Sequence, residues 1–385
     1  MAVGLKVRRL LARTAAPAPE FVACEAIRSS PRSAVVRLWP AGGWQGHDRL
    51  IAKRAVGAGA DERFCKEVVA LRLLGELDIS PAVAPRLFAW DRAELLVVLE
   101  DLGDQSLATA LLGDNRAAAH AALVDYAAAL GRMHAGTAGC EARAIAIADE
   151  FALDLAKRGN SRTSRIDGVA FQKLCTNAGV SVDAAFDDDV RRVQTWLLNS
   201  GRFRALTHGD PCPGNERRTP GGIVFFDFEA SGFDHVFLDA AYPVMAFPTC
   251  WCAGGIPAAV LAESQAEYRQ ALASRFPDAE DDTTFLQELQ YASARWLLAA
   301  DTLVPRSQRG GEDHFVSLLA ADWCWGRSTA RRRLLHRLGA FVNLADASGE
   351  LCALAATAAR VRRALASLWA ADARTLPEFP AFATD

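Results

Sequence analysis

The sequence has no CxxC pair, no apolar run of the ~18 residues needed to cross a bilayer, and no GxxxxGK[ST] element. The first absence, with nine cysteines scattered at 24, 65, 140, 175, 212, 250, 252, 324 and 352, argues against a zinc site or a disulfide framework. The thiols are therefore expected to be reduced, packed as small hydrophobes, in a cytoplasmic protein. Cys250 and Cys252, with one residue between them, are read as packing. The second absence leaves no expected membrane partner, and the third disfavours a P-loop; Gly57-Ala58-Gly59 is not a dinucleotide fingerprint either. Charge excess is also missing, since 43 Lys+Arg against 46 Asp+Glu leave a net charge of −3, so nucleic acid is not expected as a partner. Arg331 to Arg333, without interleaved aromatics, read as a solvated helix face. The N-terminal stretch is basic but lacks the apolar core and cleavage site of a secretory leader.

What is present is an ordinary globular composition, 51% hydrophobic and 23% charged over 385 residues, enough for two or three lobes at ~150 residues each. Residues 1–20 read as a short arm. Phe21 to Leu99 carry short β-branched runs (21–27, 34–39, 49–56) divided by turn chemistry, the pattern of an antiparallel meander. Apolar residues at 64, 68, 71, 74 and 77 give one amphipathic helix over 60–77, with Asp61 as a possible cap, and 95–99 form a buried strand. Beyond Leu102 the chain becomes helical: 105–135, 183–200, 257–276, 282–302, 313–338 and 344–372, with strand and turn only around 205–229. The expectation is a bilobal α+β fold: a β-rich lobe of residues 21–102 with one helix, and a larger, mainly helical lobe of residues 103–385.

One segment carries chemistry. His208-Gly209-Asp210 is followed by Asn215, then by a turn, and then by an apolar strand ending in Asp227-Phe228-Glu229. Phosphoryl transfer from a metal-bound nucleotide needs a carboxylate to meet the acceptor hydroxyl. It also needs hard oxygen ligands for Mg²⁺ on the phosphates, which an Asn amide and a second carboxylate supply. Asp210 fits the first role; Asn215 and Asp227 fit the second.

HGDxxxxN followed by DFE resembles the aminoglycoside phosphotransferase and choline kinase superfamily, the small-molecule branch of the kinase-like fold. The resemblance implies Mg²⁺, with ATP or GTP as phosphoryl donor, and assigns further roles. Lys53, ending an apolar strand, would contact the phosphates, and Glu67 on the next helix, rather than Glu62, would fix its ammonium. The loop Ser29 to Ser33 would cover the phosphates with the hydroxyls and amides of Ser30 and Ser33, although it has no glycine. Glu100 and Leu102 would form the interlobe hinge that meets the purine. His208 and His134 would be structural.

The acceptor pocket falls to the helical lobe, where Asp234, Trp251, Glu263 and Glu267 are the first candidates and Asp239 and Tyr242 further ones; Asp239 could instead cap the helix after the metal strand. A polycationic aminoglycoside wants convergent carboxylates, whereas a nucleoside- or macrolide-like acceptor wants an apolar pocket. Six of the nine tryptophans lie in the helical lobe and favour the less charged acceptor. The expected function is transfer of a γ-phosphate to a hydroxyl of a small molecule, of antibiotic, nucleoside or amino-alcohol type. The alternative is a kinase-like nucleotide-binding module that has lost transfer. Oligomeric state is unreadable.

Overall fold

The computed structural model describes residues 2–14, 17–155, 166, 168–305, 308–309, 313–370 and 375–383. In the first lobe, α1 (Ala2–Thr14) precedes β1 (Phe21–Ser29), β2 (Ser33–Pro40) and β3 (Leu50–Ala55), then α2 (Ala60–Glu76), β4 (Leu87–Asp91) and β5 (Leu96–Glu100). The strands make one antiparallel sheet in the order β1-β2-β3-β5-β4.

Strand alternation decides what faces the site. On β3, Leu50 and Ala52 turn outward and pack with Leu38, Ala89, Leu96 and Val98. Ile51 and Lys53 turn inward. Lys53 stands opposite Val35 on β2 and Val97 on β5, at the centre of the sheet. Both faces of β5 are covered, which is why it reads as a continuous apolar run. The cover on the outer face is α1, whose Val7, Leu10 and Leu11 are buried against that cluster. The stretch read as an arm is thus a packed helix over residues 2–14: its apolar residues at 7, 10 and 11 make a single stripe.

Helix α2 packs under the inner face through Phe64, Val68, Leu71 and Leu74. Its N-cap is Gly59 in the left-handed region, not Asp61, which pairs with Arg92 at 3.0 Å.

The second lobe contains α3 (Leu107–Leu112), α4 (Arg116–Thr137), α5 (Glu141–Asp149), α6 (Gly168–Asn177) and α7 (Ala184–Leu198). Four short strands follow, β6 (Arg204–Thr207), β7 (Glu216–Thr219), β8 (Gly222–Phe225) and β9 (Gly232–His235). The chain then forms α8 (Phe237–Ala240), α9 (Ala258–Ala273), α10 (Asp282–Leu297), α11 (His314–Ala320), the small hairpin β10 (Cys324–Trp325) and β11 (Ser328–Thr329), α12 (Ala330–Ser348) and α13 (Cys352–Leu368). The helix expected over 313–338 is broken by the hairpin at Gly326, which has φ +63°. The one expected over 344–372 is divided at Gly349, also left-handed. Among the described helices none is long and apolar enough to cross a membrane. Helix α4 crosses α9 closely: a Cβ on Gly131 would lie 2.6 Å from the Tyr268 carbonyl. Helix α4 packs against β6 and β8, one strand from each of the two short antiparallel pairs, β6–β9 and β7–β8.

Candidate active site

A cleft of about 180 Å³ runs between the lobes, lined by Val35, Ile51 and Leu99 on its apolar side and by Lys53, Glu67, Asn215 and Asp227 on its polar side. Lys53 Nζ lies 2.7 and 2.8 Å from the two oxygens of Glu67 and also bonds Asp227 Oδ1. Burial works against the ammonium, but Asp227 and Glu67 outweigh it and hold its pKa above the ordinary value. Burial likewise pushes the Glu67 carboxyl up to about 7 against the pull of Lys53. Glu62, the competing residue, pairs instead with Lys66 on the surface.

Asp227 follows β8 with φ +67°, a left-handed conformation that a non-glycine residue keeps only where its surroundings enforce it. It turns the carboxylate back toward Lys53. Asn215 donates its amide nitrogen to the Asp210 carbonyl at 2.9 Å, and its own carbonyl accepts from the Phe226 amide at 3.0 Å. Its amide oxygen is thereby left as the acceptor end of a side chain that lines the same cleft as Asp227. An amide oxygen and a carboxylate are the donor types that Mg²⁺ takes, so these two residues fit the metal.

The loop carrying Asp210 is held from several sides. Asp239 accepts from the His208 amide at 2.6 Å and the Gly209 amide at 3.1 Å, and faces His134 Nε2 at 3.3 Å. It caps this loop and not α8: the N-cap of that helix is Val236, and Asp239 lies inside it. His208 Nε2 is 2.9 Å from the Phe226 carbonyl, and Tyr126 donates to the Pro211 carbonyl at 2.6 Å. Gly209 has φ +75°, and a Cβ there would lie 2.2 Å from the Ala230 carbonyl, so the motif admits only glycine.

The phosphate-loop candidates lie at the β1–β2 turn. Ser33 lines the cleft. Ser30 closes the turn on itself, its Oγ accepting from the amides of Arg32 at 3.2 Å and Ser33 at 3.0 Å. Gly57 supports this loop: any side chain would meet the Pro31 carbonyl at 2.5 Å. Glu229, in the short turn Phe228–Ala230 that follows β8, ties the loop to the second lobe, pairing with Arg32 at 2.5 Å and with Arg63 of α2 at 3.3 Å. Sequence reasoning placed Glu229 in the motif and left it without a role. Glu100 and Leu102 both line the cleft where β5 leaves the sheet.

The acceptor candidates are not brought together. Trp251 is 51% exposed two residues beyond Thr249, which touches Asp210. Asp234 lies on β9 opposite Ala205, accepting from Ser200 and the His235 amide. Glu263 and Glu267 are on α9, where Glu263 faces His120 at 2.9 Å.

Two further expectations are corrected here. Cys212 and Cys250, 38 residues apart, form a disulfide between the Asp210 loop and the segment before Trp251; no spacing motif announces the pair. Among the described residues the other seven cysteines are free. Arg333 is not on a solvated face: it is buried with Arg337, and both donate to carbonyls of residues 248–251. Thr249, whose hydroxyl bonds Asp210, belongs to no motif that marks it in the sequence.

Comparison with solved structures yields a protein from Ralstonia eutropha assigned to the aminoglycoside phosphotransferases, 15% identical over 90% of this chain and 98% of that one, with a TM-score of 0.50. A choline/ethanolamine kinase family protein from Mesorhizobium loti matches at 14% identity over 92% and 98% of the chains, TM-score 0.46. Choline kinase from Cryptosporidium parvum matches at 14% over 84% and 90%, TM-score 0.47. The first of these shows a shared kinase-like fold. No curated protein matches the sequence. The model of the phosphotransferase enzyme family, APH, matches residues 25–273, the span that holds all of the sheet but the start of β1, the cleft and both motifs. The chain belongs to that family of small-molecule phosphotransferases.

Proposed function

We propose that the protein is a Mg²⁺-dependent O-phosphotransferase that moves the γ-phosphate of ATP or GTP to a hydroxyl of a small molecule. The observation that carries this reading is the convergence of Lys53, Glu67, Asn215 and Asp227 on one interlobe cleft, with Asn215 bonded to Asp210 itself. A degenerate nucleotide-binding module usually loses at least one of these groups; here all are present, with Lys53 paired to both Glu67 and Asp227.

In this reading the apolar wall of Val35, Ile51 and Leu99 takes the purine, and Lys53, fixed by Glu67, takes the phosphates. Asn215 and Asp227 hold Mg²⁺, which supplies charge neutralisation on the phosphate oxygens. Asp210 accepts the proton of the acceptor hydroxyl as its oxygen bonds the γ-phosphorus. The bond from that phosphorus to the bridging oxygen breaks, and the electron pair leaves with the nucleoside diphosphate. Positioning and electrostatics carry such a transfer, so the fixed loop around Asp210 matters as much as its carboxylate.

An acceptor with few positive charges fits best. A polycation needs convergent carboxylates, yet Glu263 faces His120 and Asp234 lies on the β6–β9 ladder, while the exposed indole of Trp251 neighbours Asp210's loop. The test is a screen of nucleosides, amino alcohols, macrolides and aminoglycosides for Mg²⁺-dependent diphosphate release, with Asp210→Asn as the blank. Release from the wild type alone supports the reading. Equal release from both proteins with every acceptor contradicts it.

A further inference from the structure

The segment from Ala246 to Trp251 is built as if to press on one side chain. Ala246 and Phe247 are both left-handed, at φ +54° and +51°, a costly conformation for two successive non-glycine residues. The next residues are anchored from behind by α12. Arg337 donates to the Pro248 carbonyl at 2.8 Å and Arg333 to the Cys250 carbonyl at 2.8 Å, while the Arg327 amide reaches the Trp251 carbonyl at 2.9 Å. Gly326 packs so closely that a Cβ there would lie 1.9 Å from that carbonyl. On its front, the segment offers two groups to the catalytic loop. Thr249 Oγ1 lies 2.5 Å from Asp210 Oδ1, and Cys250 is bonded to Cys212, whose sulfur lies 3.3 Å from the same oxygen. The Tyr242 hydroxyl is 3.2 Å from Thr249 Oγ1 and 3.2 Å from the Gly209 carbonyl, closing the contact from below.

From this geometry, and resting on the phosphotransferase reading, we propose that Thr249 is a positioning residue for Asp210. The Cys212–Cys250 disulfide keeps it there, so the transfer rate follows the redox state of that bond. A threonine hydroxyl has one proton, and donating it to Oδ1 fixes the rotation of the carboxylate toward the acceptor. The disulfide sulfur has no proton to compete for that oxygen. Reduction by two equivalents of a low-molecular-weight thiol adds two electrons and two protons across the S–S bond. It gives two cysteine thiols and one disulfide of the reductant. The new Cys212 S–H can then donate to Asp210 in place of Thr249, and the strained segment is no longer tied to the loop. Cys212 is only partly buried, which gives a small thiol access to the bond.

The test uses the full chain, with Mg²⁺ and ATP or GTP, water as the acceptor, and diphosphate release as turnover. Thr249→Val is expected to lower turnover about 10- to 100-fold with nucleotide affinity unchanged within twofold, and Thr249→Ser to restore it. Dithiothreitol is expected to lower wild-type turnover several-fold, with alkylation at Cys212 and Cys250 confirming the broken bond, and to leave Cys212→Ser/Cys250→Ser unaffected. Turnover that survives Thr249→Val, or that ignores confirmed reduction, overturns the proposal. A wild type that binds nucleotide and releases no diphosphate in either redox state, with water or with any acceptor of the screen, contradicts the transfer reading instead. The positioning claim is then decided by amide exchange over residues 208–215, which must quicken on reduction and in Thr249→Val; unchanged exchange overturns it.

Discussion

Lys53 and Glu67 form a bidentate pair at 2.7 and 2.8 Å that joins the centre of the sheet to the helix beneath it, and the same ammonium reaches Asp227 across the cleft. The pair thus couples the first lobe to the motif strand of the second. Removing one member strands a buried charge. Glu67→Ala is expected to cost about 3 kcal/mol of stability, the low end for a broken buried pair because Asp227 remains. It is also expected to weaken nucleotide binding at least tenfold. Denaturant unfolding and nucleotide titration check both, and a variant with unchanged midpoint and affinity contradicts the pairing's role.

In the proposed reaction Asp210 acts in the chemical step and not in nucleotide binding; the cleft is lined by Asn215 and Asp227, while Asp210 faces Thr249. Asp210→Asn is expected to abolish turnover and leave nucleotide affinity within a few-fold. Parallel measurement of turnover and of nucleotide dissociation separates the two. A large loss of affinity in this variant points to a structural role for the carboxylate.

The two glycines of the loop from His208 to Asn215 are predicted to differ. Gly209 is left-handed with a carbonyl 2.2 Å from any added Cβ, whereas nothing lies within 4 Å of one added at Gly214. Gly209→Ala is expected to lower the melting temperature by several degrees and turnover by more than tenfold, while Gly214→Ala leaves stability unchanged. Thermal unfolding of the two variants side by side decides this, and equal effects contradict it.

Glu216 sets a pH dependence of stability. Fully buried, it accepts from the Leu107 amide, and burial pushes its carboxyl from 4.5 up to about 8 despite that bond and the nearby Arg217 and Arg218. Between those values the folded state holds a proton that the unfolded chain has released. Its contribution is therefore complete at the acid end of the window and is lost as pH rises through about 8. Glu216→Gln is expected to flatten that fall, read as the wild-type-minus-variant difference in unfolding midpoint across the window. A difference that does not change with pH contradicts it.

Much of this was legible in the sequence wherever local pattern carries the information. The family resemblance implies that Lys53 meets an acid on the next helix, and the spacing of Phe64, Val68, Leu71 and Leu74 favours Glu67 over Glu62 by putting it beside the buried face, where it does meet Lys53. The motif spacing likewise puts Asn215 and Asp227 on one cleft. What escaped is contact made over long separations with no periodic mark. Cys212 meets Cys250 and Thr249 meets Asp210 across almost forty residues, in a segment whose carbonyls α12 holds through Arg333 and Arg337, and Arg333 is buried there although its neighbours in sequence are charged. Acidic residues chosen for acceptor binding scattered because charge alone does not say which face of α9 or β9 turns toward the cleft.

The central claim is a working metal–nucleotide site at Asp227. The direct measurement is thermal unfolding with and without Mg²⁺ plus ATP or GTP, for the wild type and Asp227→Ala. A ligand at about 100 times its dissociation constant adds about 2.7 kcal/mol to the native state, which raises the melting temperature visibly. The account predicts a Mg²⁺-dependent rise with one of the two nucleotides in the wild type and none in the variant. An equal rise in both proteins, or no rise with either nucleotide, contradicts it.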